Sequence, residues 1–135
     1  MTRPPRGIRN RNPGNIRRSR DRWRGLAPLQ LDPEFCVFEA PVWGIRAMAV
    51  ILRNYQRRHG LRTVAQIIGR WAPPTENHTS AYVSAVAKAV GLSPRAVVDL
   101  KDRAKLHALI AAIIHHENGM QPYDPDTIDT AIDLA

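Results

Sequence analysis

The chain has 135 residues, 44% hydrophobic and 24% charged, with a formal net charge of +8 and an isoelectric point near 10.8. That length fits one domain with a real core, and the apolar run at 108–114 falls far short of the about 20 residues that a bilayer-spanning helix needs. A single cysteine, Cys36, excludes an internal disulfide and a multi-cysteine zinc site. The arginine-rich start lacks the apolar stretch of a secretory signal peptide, so the expectation is synthesis in a reducing cytoplasm.

Charge is uneven along the chain. Residues 1–31 carry nine arginines and one acid, Asp21, whereas residues 117–135 carry five acids and no Lys or Arg. Such a basic segment suits nucleic acid, an anionic cell envelope or the acidic tail of its own fold. Residues 1–8 read as a basic arm, and the rest of the first 31 residues as ordered loop. "FCVFE", 35–39, has the aromatic and β-branched character of a strand and predicts half of a small hairpin.

A helix is expected from Pro41, which suits a first-turn position, with Ile45, Met48, Leu52 and Tyr55 on its buried face and Gly60 after its end. A second helix over 62–71 places Val64, Ile67, Ile68 and Trp71 on one side. Pro73 and Pro74 force a loop. Asn77 or Thr79 can cap the next helix, which turns Tyr82, Val83, Val86 and Val90 inward and stops at Gly91. Ser93-Pro94 opens a short helical turn. Asp102 caps a long helix over 103–117 that buries Leu106, Ile110, Ile113 and Ile114, with Gly119 as its terminator. Asp124-Pro125 opens the last helix, with Ile128 and Ile132 inward. The expected fold is mainly α with one small β-hairpin.

Glu117 stands out for chemistry. It falls in the last turn of an apolar helix, where the helix dipole and poor hydration both disfavour a carboxylate and favour its protonated form. A protonated carboxyl is what a general acid needs to protonate a leaving oxygen. The plain alternative is a solvated helix-end residue bonded to a nearby arginine.

"IIHHENGMQPY" resembles the helix of the lysozyme-like superfamily, lytic transglycosylases and goose-type lysozymes above all, in which an apolar helix ends on the catalytic Glu. There that helix lies near the start of the domain; here it lies near the end. "NRNPGNIRRSRDRWRGL", "FCVFEAPVWGIRAMAVILRNY" and "TENHTSAYVSAVAKAV" resemble the middle and the later Tyr helix of glucosaminidases. Read cyclically from residue 103, the order is that of lysozyme-like domains. The resemblance therefore implies a single, circularly permuted lysozyme-like domain over 1–135, allowed because domain termini often lie close together. The whole chain also resembles phage virion and lysis proteins that share "RGIRNxNPGNIR", "WAPPxEN" and "HENG". That resemblance implies a phage or prophage origin, a place in the virion or host cytoplasm, action on peptidoglycan glycan strands in the cell wall, and other virion proteins as further partners.

Other site candidates are weighed individually. Asn12-Pro13-Gly14-Asn15 is a turn on any reading; Asn12 and Asn15 can also present amides to N-acetyl groups or sugar hydroxyls. Tyr82 lies on an apolar stripe, and the glucosaminidase resemblance implies a groove-bordering hydroxyl that supports the substrate or the catalytic Glu. Glu76 and Asn77 either cap a helix or face the cleft. Trp23, between arginines in a loop, is the substrate-facing tryptophan, while Trp71 reads as core. Should a second acid be needed, Glu39, Glu34, Asp32 and Glu76 form the pool, with Glu39 first. A lone Glu117 fits the lytic transglycosylases, in which one Glu serves as acid and then base with the substrate's own 6-hydroxyl.

No metal or cofactor is expected. His115 and His116 are adjacent, about 100° apart on a helix, and cannot share an ion as an i, i+4 pair does. No His-Glu-x-x-His pattern exists, and Cys36 reads as a packed thiol. Three functions compete: a glycan-cleaving enzyme, a non-catalytic virion protein that keeps the fold to bind glycan, and an arginine-rich nucleic-acid binder. The third ranks last, because the helix near 79–90 carries only Lys88 and no stacked aromatics accompany the arginines.

Overall fold

The computed structural model describes residues 3 to 135. Among these, α-helices run over Arg6–Arg9 (α1), Pro41–His59 (α2), Val64–Trp71 (α3), Thr79–Val90 (α4), Arg103–Asn118 (α5) and Pro125–Leu134 (α6). Their ends follow local chemistry. Pro41 and Pro125 occupy first-turn positions, where a missing N–H costs nothing. Thr63 and Gln66 close a reciprocal capping box on α3. The Asp102 carboxylate accepts from the N–H groups of Ala104 and Lys105 at the head of α5.

Helix α5 is the centre of the molecule. It packs against α4 on one side and α6 on the other, and α6 also lies along α2. Ile110, Ile113 and Ile114 are fully buried, each contributing roughly 1.5–3 kcal/mol by leaving water. Tyr82, Val83 and Val86 of α4 meet them, and Ile45, Met48 and Leu52 of α2 complete the core. No helix among the described residues is long and apolar enough to cross a membrane.

The structure departs from the expected hairpin. Residues 34–39 form the middle of an irregular three-segment array and make only isolated antiparallel bridges, Arg17 with Phe35 and Leu26 with Phe38. On one side Cys36 N–H donates to Ile16 and Glu34 accepts from Arg18; on the other, Ala27 donates to Val37 and Glu39 donates to Gly25, all at 2.8–2.9 Å. The aromatic pattern marked an extended segment correctly, but its partners come from two different loops. Ser93-Pro94 makes a turn without a helix. Neither Asn77 nor Thr79 caps α4: His78 occupies that position, and the Thr79 hydroxyl instead donates to the Ala72 carbonyl at 2.5 Å. Cys36 is buried as expected, and burial pushes its thiol up from the ordinary value.

The basic arm also enters the fold earlier than expected. Met1 and Thr2 lie outside the described residues, but Arg6 already belongs to α1. Its guanidinium grips Asp32 with two bonds of 2.6 Å, and Asp32 further accepts from Asn10 at 2.9 Å and from the N–H groups of Glu34 and Phe35. The Arg6 bond, assisted by these donors against the cost of burial, holds the Asp32 carboxyl well below the usual carboxylate range. A carboxyl depressed in the folded state stabilises the fold above its unfolded value, about 4, and that contribution drains away as pH falls below it. Thermal melting followed by circular dichroism should therefore show a midpoint that declines below about pH 4. In Asp32→Asn the midpoint should already be lower at neutral pH and its acid-dependent fall should be shallower. An unchanged acid slope in the variant would refute this role.

Candidate functional site

The loop from Gly7 to Ile16 is pressed onto the helices where no side chain fits. A Cβ on Gly7 would stand 2.6 Å from Asn118 Oδ1 and 2.9 Å from Asn15 Oδ1. One on Gly14 would stand 2.8 Å from Met48 Cγ, and one on Gly44 of α2 would stand 2.2 Å from the Arg11 carbonyl. Close approach, more than backbone flexibility, selects glycine at these three places. The loop is then stitched to the end of α5: Asn118 Nδ2 donates to the Pro13 carbonyl at 2.8 Å and to Ile114 within its own helix at 2.9 Å. Gly119, left-handed at φ 70°, ends the helix directly after this contact.

Glu117 is held in that seam. Asn15 Nδ2 donates to its Oε1 at 2.8 Å and the Tyr82 hydroxyl donates to its Oε2 at 2.7 Å. Residues 15 and 117, from opposite ends of the chain, thus meet side chain to side chain. Asn15 sits at φ 49°, a left-handed conformation that Asn tolerates better than most residues. The partners of Glu117 are an amide and a phenol, not the arginine of the plain alternative.

Tyr82 is 2% exposed. Burial first, then the Glu117 charge and the bond to it, lift its hydroxyl far above the ordinary phenol value, so it remains a neutral donor. The His116 ring lies over it at 3.9 Å between centroids and fixes its outer face.

Beside Glu117 opens a cleft of about 350 Å³. Asn15 and Glu117 line one part, Glu76 and Asn77 another, and Trp71, Tyr55 and Phe35 supply aromatic surface. Trp71 and Tyr55 meet edge to face with centroids 6.5 Å apart. Arg17 crosses the mouth, its Nε 3.2 Å from Glu76 and its guanidinium 5.1 Å from the Phe35 centroid. Among the described residues no cluster of His, Cys, Asp or Glu is suited to a metal ion.

The expected site residues divide accordingly. Glu117, Asn15 and Tyr82 come together, and Glu76 and Asn77 share the cleft with them. Asn12 does not: it is fully buried, and its amide bonds the backbone of Ile16 and Cys36, which leaves nothing for a substrate. Trp23 is no groove floor, because it packs against the core with its Nε1 enclosed and lies outside the cleft lining; the half-buried Trp71 takes that place. Glu39 is exposed away from the cleft, while Asp32 and Glu34 are tied to Arg6. Of the second-acid pool only Glu76 lines the cleft. Sequence reasoning passed over Asn118, Tyr55 and Arg17. Asn118 was signalled by its place between Glu117 and the helix-ending Gly119; Tyr55 and Arg17 had no comparable mark.

No family model matches the chain. Similarity to a known protein places it among bacteriophage proteins: it is 46% identical over 126 residues to Protein P5 of Pseudoalteromonas phage PM2, a match covering 91% of this chain and 77% of that protein. The chain belongs to the family of that Protein P5.

Proposed function

We propose that this phage protein cleaves the glycan strands of peptidoglycan, as a lytic transglycosylase or muramidase-type enzyme, with Glu117 as general acid and base and the domain a circularly permuted lysozyme-like fold. One observation carries the reading: a carboxylate at the end of an apolar helix lines a cleft with aromatic walls while two neutral donors fix both its oxygens. A carboxyl group has about four lone-pair sites across its two oxygens, so one bond to each leaves a site that can carry the acid's proton and pass it to a bound sugar. The Asn77 amide suits N-acetyl groups and hydroxyls, Asn15 positions Glu117, and Trp71 and Tyr55 offer apolar faces to sugar rings. In the single-acid form of the mechanism, Glu117 protonates the glycosidic oxygen. It then takes the proton of the 6-hydroxyl, which closes a 1,6-anhydro ring as the leaving chain departs.

A specific feature favours a second reading, a virion protein that binds glycan without cutting it. Both carboxylate oxygens of Glu117 are already engaged, by Asn15 and Tyr82, and Glu76 is engaged by Arg17, so neither acid stands free. Purified peptidoglycan assayed by turbidity and zymogram, with wild type and Glu117→Gln, decides between the two. Lysis by wild type alone supports the enzyme, and an inert wild type that still co-sediments with peptidoglycan supports the binder.

Tyr82→Phe keeps the buried ring and removes the hydroxyl that bonds Glu117. It should lower cleavage at least about tenfold by freeing the Glu117 carboxyl from its position, and it should lower the melting temperature by only a few degrees, since a hydrogen bond to a charged group contributes about 1.5–3 kcal/mol to stability. Equal losses of activity and stability would assign Tyr82 to the core alone.

A further inference from the structure

Residues 29–31, at the end of the segment 17–31, are oriented against the ordinary rule of apolar in, polar out. Gln30 points inward: its amide nitrogen donates to the carbonyls of Ala27 and Val37 at 2.9 and 2.8 Å, and its oxygen accepts from Val37 N–H at 2.9 Å. That three-bond anchor turns its neighbours outward, and Leu29 and Leu31 are 69% and 82% exposed. Exposed apolar residues held outward and rimmed by polar ones are the kind of surface that marks interaction sites.

The same segment holds five arginines against one acid, Asp21. Arg17 is committed to Glu34 and Glu76. Among the described residues, Arg18, Arg20, Arg22 and Arg24 pair with no carboxylate. Arg18 reaches the carbonyl of Asp32 at 3.2 Å, which sets a guanidinium next to Leu31, and Arg24 lies over Trp43 at 5.2 Å. Trp23 tucks into the core between Arg22 and Arg24 and anchors the basic stretch as Gln30 anchors the apolar one.

We infer that this loop docks on an anionic lipid surface, with the arginines against the headgroups and Leu29 and Leu31 entering the acyl boundary. Exposed cations on the same loop as outward leucines, with no helix among the described residues long and apolar enough to span, match the two components of interfacial binding: charge attraction and shallow apolar burial. Duplex nucleic acid would use the arginines but has nothing for the leucines. This surface is separate from the Glu117 cleft and does not depend on that cleft's chemistry.

Sedimentation of the full chain with vesicles tests it. With equal parts phosphatidylglycerol and phosphatidylcholine, wild type should pellet; with phosphatidylcholine alone it should stay in solution. Leu29→Ser/Leu31→Ser, which leaves charge unaltered, should weaken vesicle binding about tenfold while any binding to a short DNA duplex is unchanged. Arg20→Gln/Arg22→Gln should weaken vesicle binding and flatten its salt dependence. Both variants alter exposed positions, and matching melting temperatures confirm their folds. The inference is overturned if wild type ignores anionic vesicles, if the leucine variant binds them as wild type does, or if duplex DNA displaces the protein from them at equal charge concentration.

Discussion

Glu117→Gln is expected to reduce glycan-strand cleavage by about 10²- to 10⁴-fold, the usual contribution of a positioned proton-transfer group, and to leave the fold standing. The isosteric amide still offers an oxygen to one of its two donors, Asn15 at 2.8 Å or Tyr82 at 2.7 Å. Its nitrogen then faces the other: the Tyr82 hydroxyl can turn to accept from it, and at most one bond is lost, at a cost of about 1–3 kcal/mol. The marginal stability of a domain this size, about 5–15 kcal/mol, absorbs that. Activity and stability therefore separate: cleavage collapses while the melting transition stays cooperative and moves only a few degrees. A variant that keeps more than a tenth of wild-type cleavage would exclude Glu117 as the acid.

The same experiment reports on the number of acids involved. Glu76 lines the cleft but is paired with Arg17 at 3.2 Å, so in the proposed enzyme Glu117 works alone and the products end in 1,6-anhydro sugars. Reducing ends instead would require a water-activating base. Glu76, released from Arg17, is then the residue to replace next.

What was legible in the sequence was what local chemistry decides. Pro41, Asp102 and Gly119 act through their own backbone or the next turn, so the helix limits they set needed no tertiary knowledge, and the 3/4 spacing of Ile45, Met48 and Leu52 located a buried face directly. The adjacency of Asn15, Tyr82 and Glu117 was reached through family resemblance, since no local rule links residues 102 positions apart. Errors arose where tertiary partners chose between equivalent residues. The apolar stripe around Trp71 suggested core and the arginines around Trp23 suggested the groove; both pack partly buried against the core, and only Trp71 lines the cleft. The extended stretch 35–39 was visible, but the two loops that flank it were not, because bridges to Arg17 and Leu26 leave no turn signature of a hairpin.

Asn12 and Asn15 pose that problem most sharply, and their substitution should separate scaffold from site. Both belong to one Asn-Pro-Gly-Asn turn, yet the first faces inward and the second faces Glu117. Asn12 Oδ1 is the acceptor for Ile16 N–H at 3.0 Å, and its Nδ2 reaches the Cys36 carbonyl at 2.9 Å and the Ile16 carbonyl at 3.0 Å. The Ile16 carbonyl keeps a second partner in Cys36 N–H; the other two groups do not. Asn12→Ala therefore strands a donor and an acceptor in the interior. At about 1–3 kcal/mol each, the expected loss is roughly 2–6 kcal/mol, a fall in melting temperature of about 8–24 °C at about 4 °C per kcal/mol for a chain of this length. Asn15→Gly, which retains the left-handed backbone, should shift melting far less and impair cleavage instead. If Asn12→Ala melted like wild type, the stitching of the 7–16 loop to the extended segment at Cys36 would be wrong, and with it the reason that Asn15 reaches Glu117.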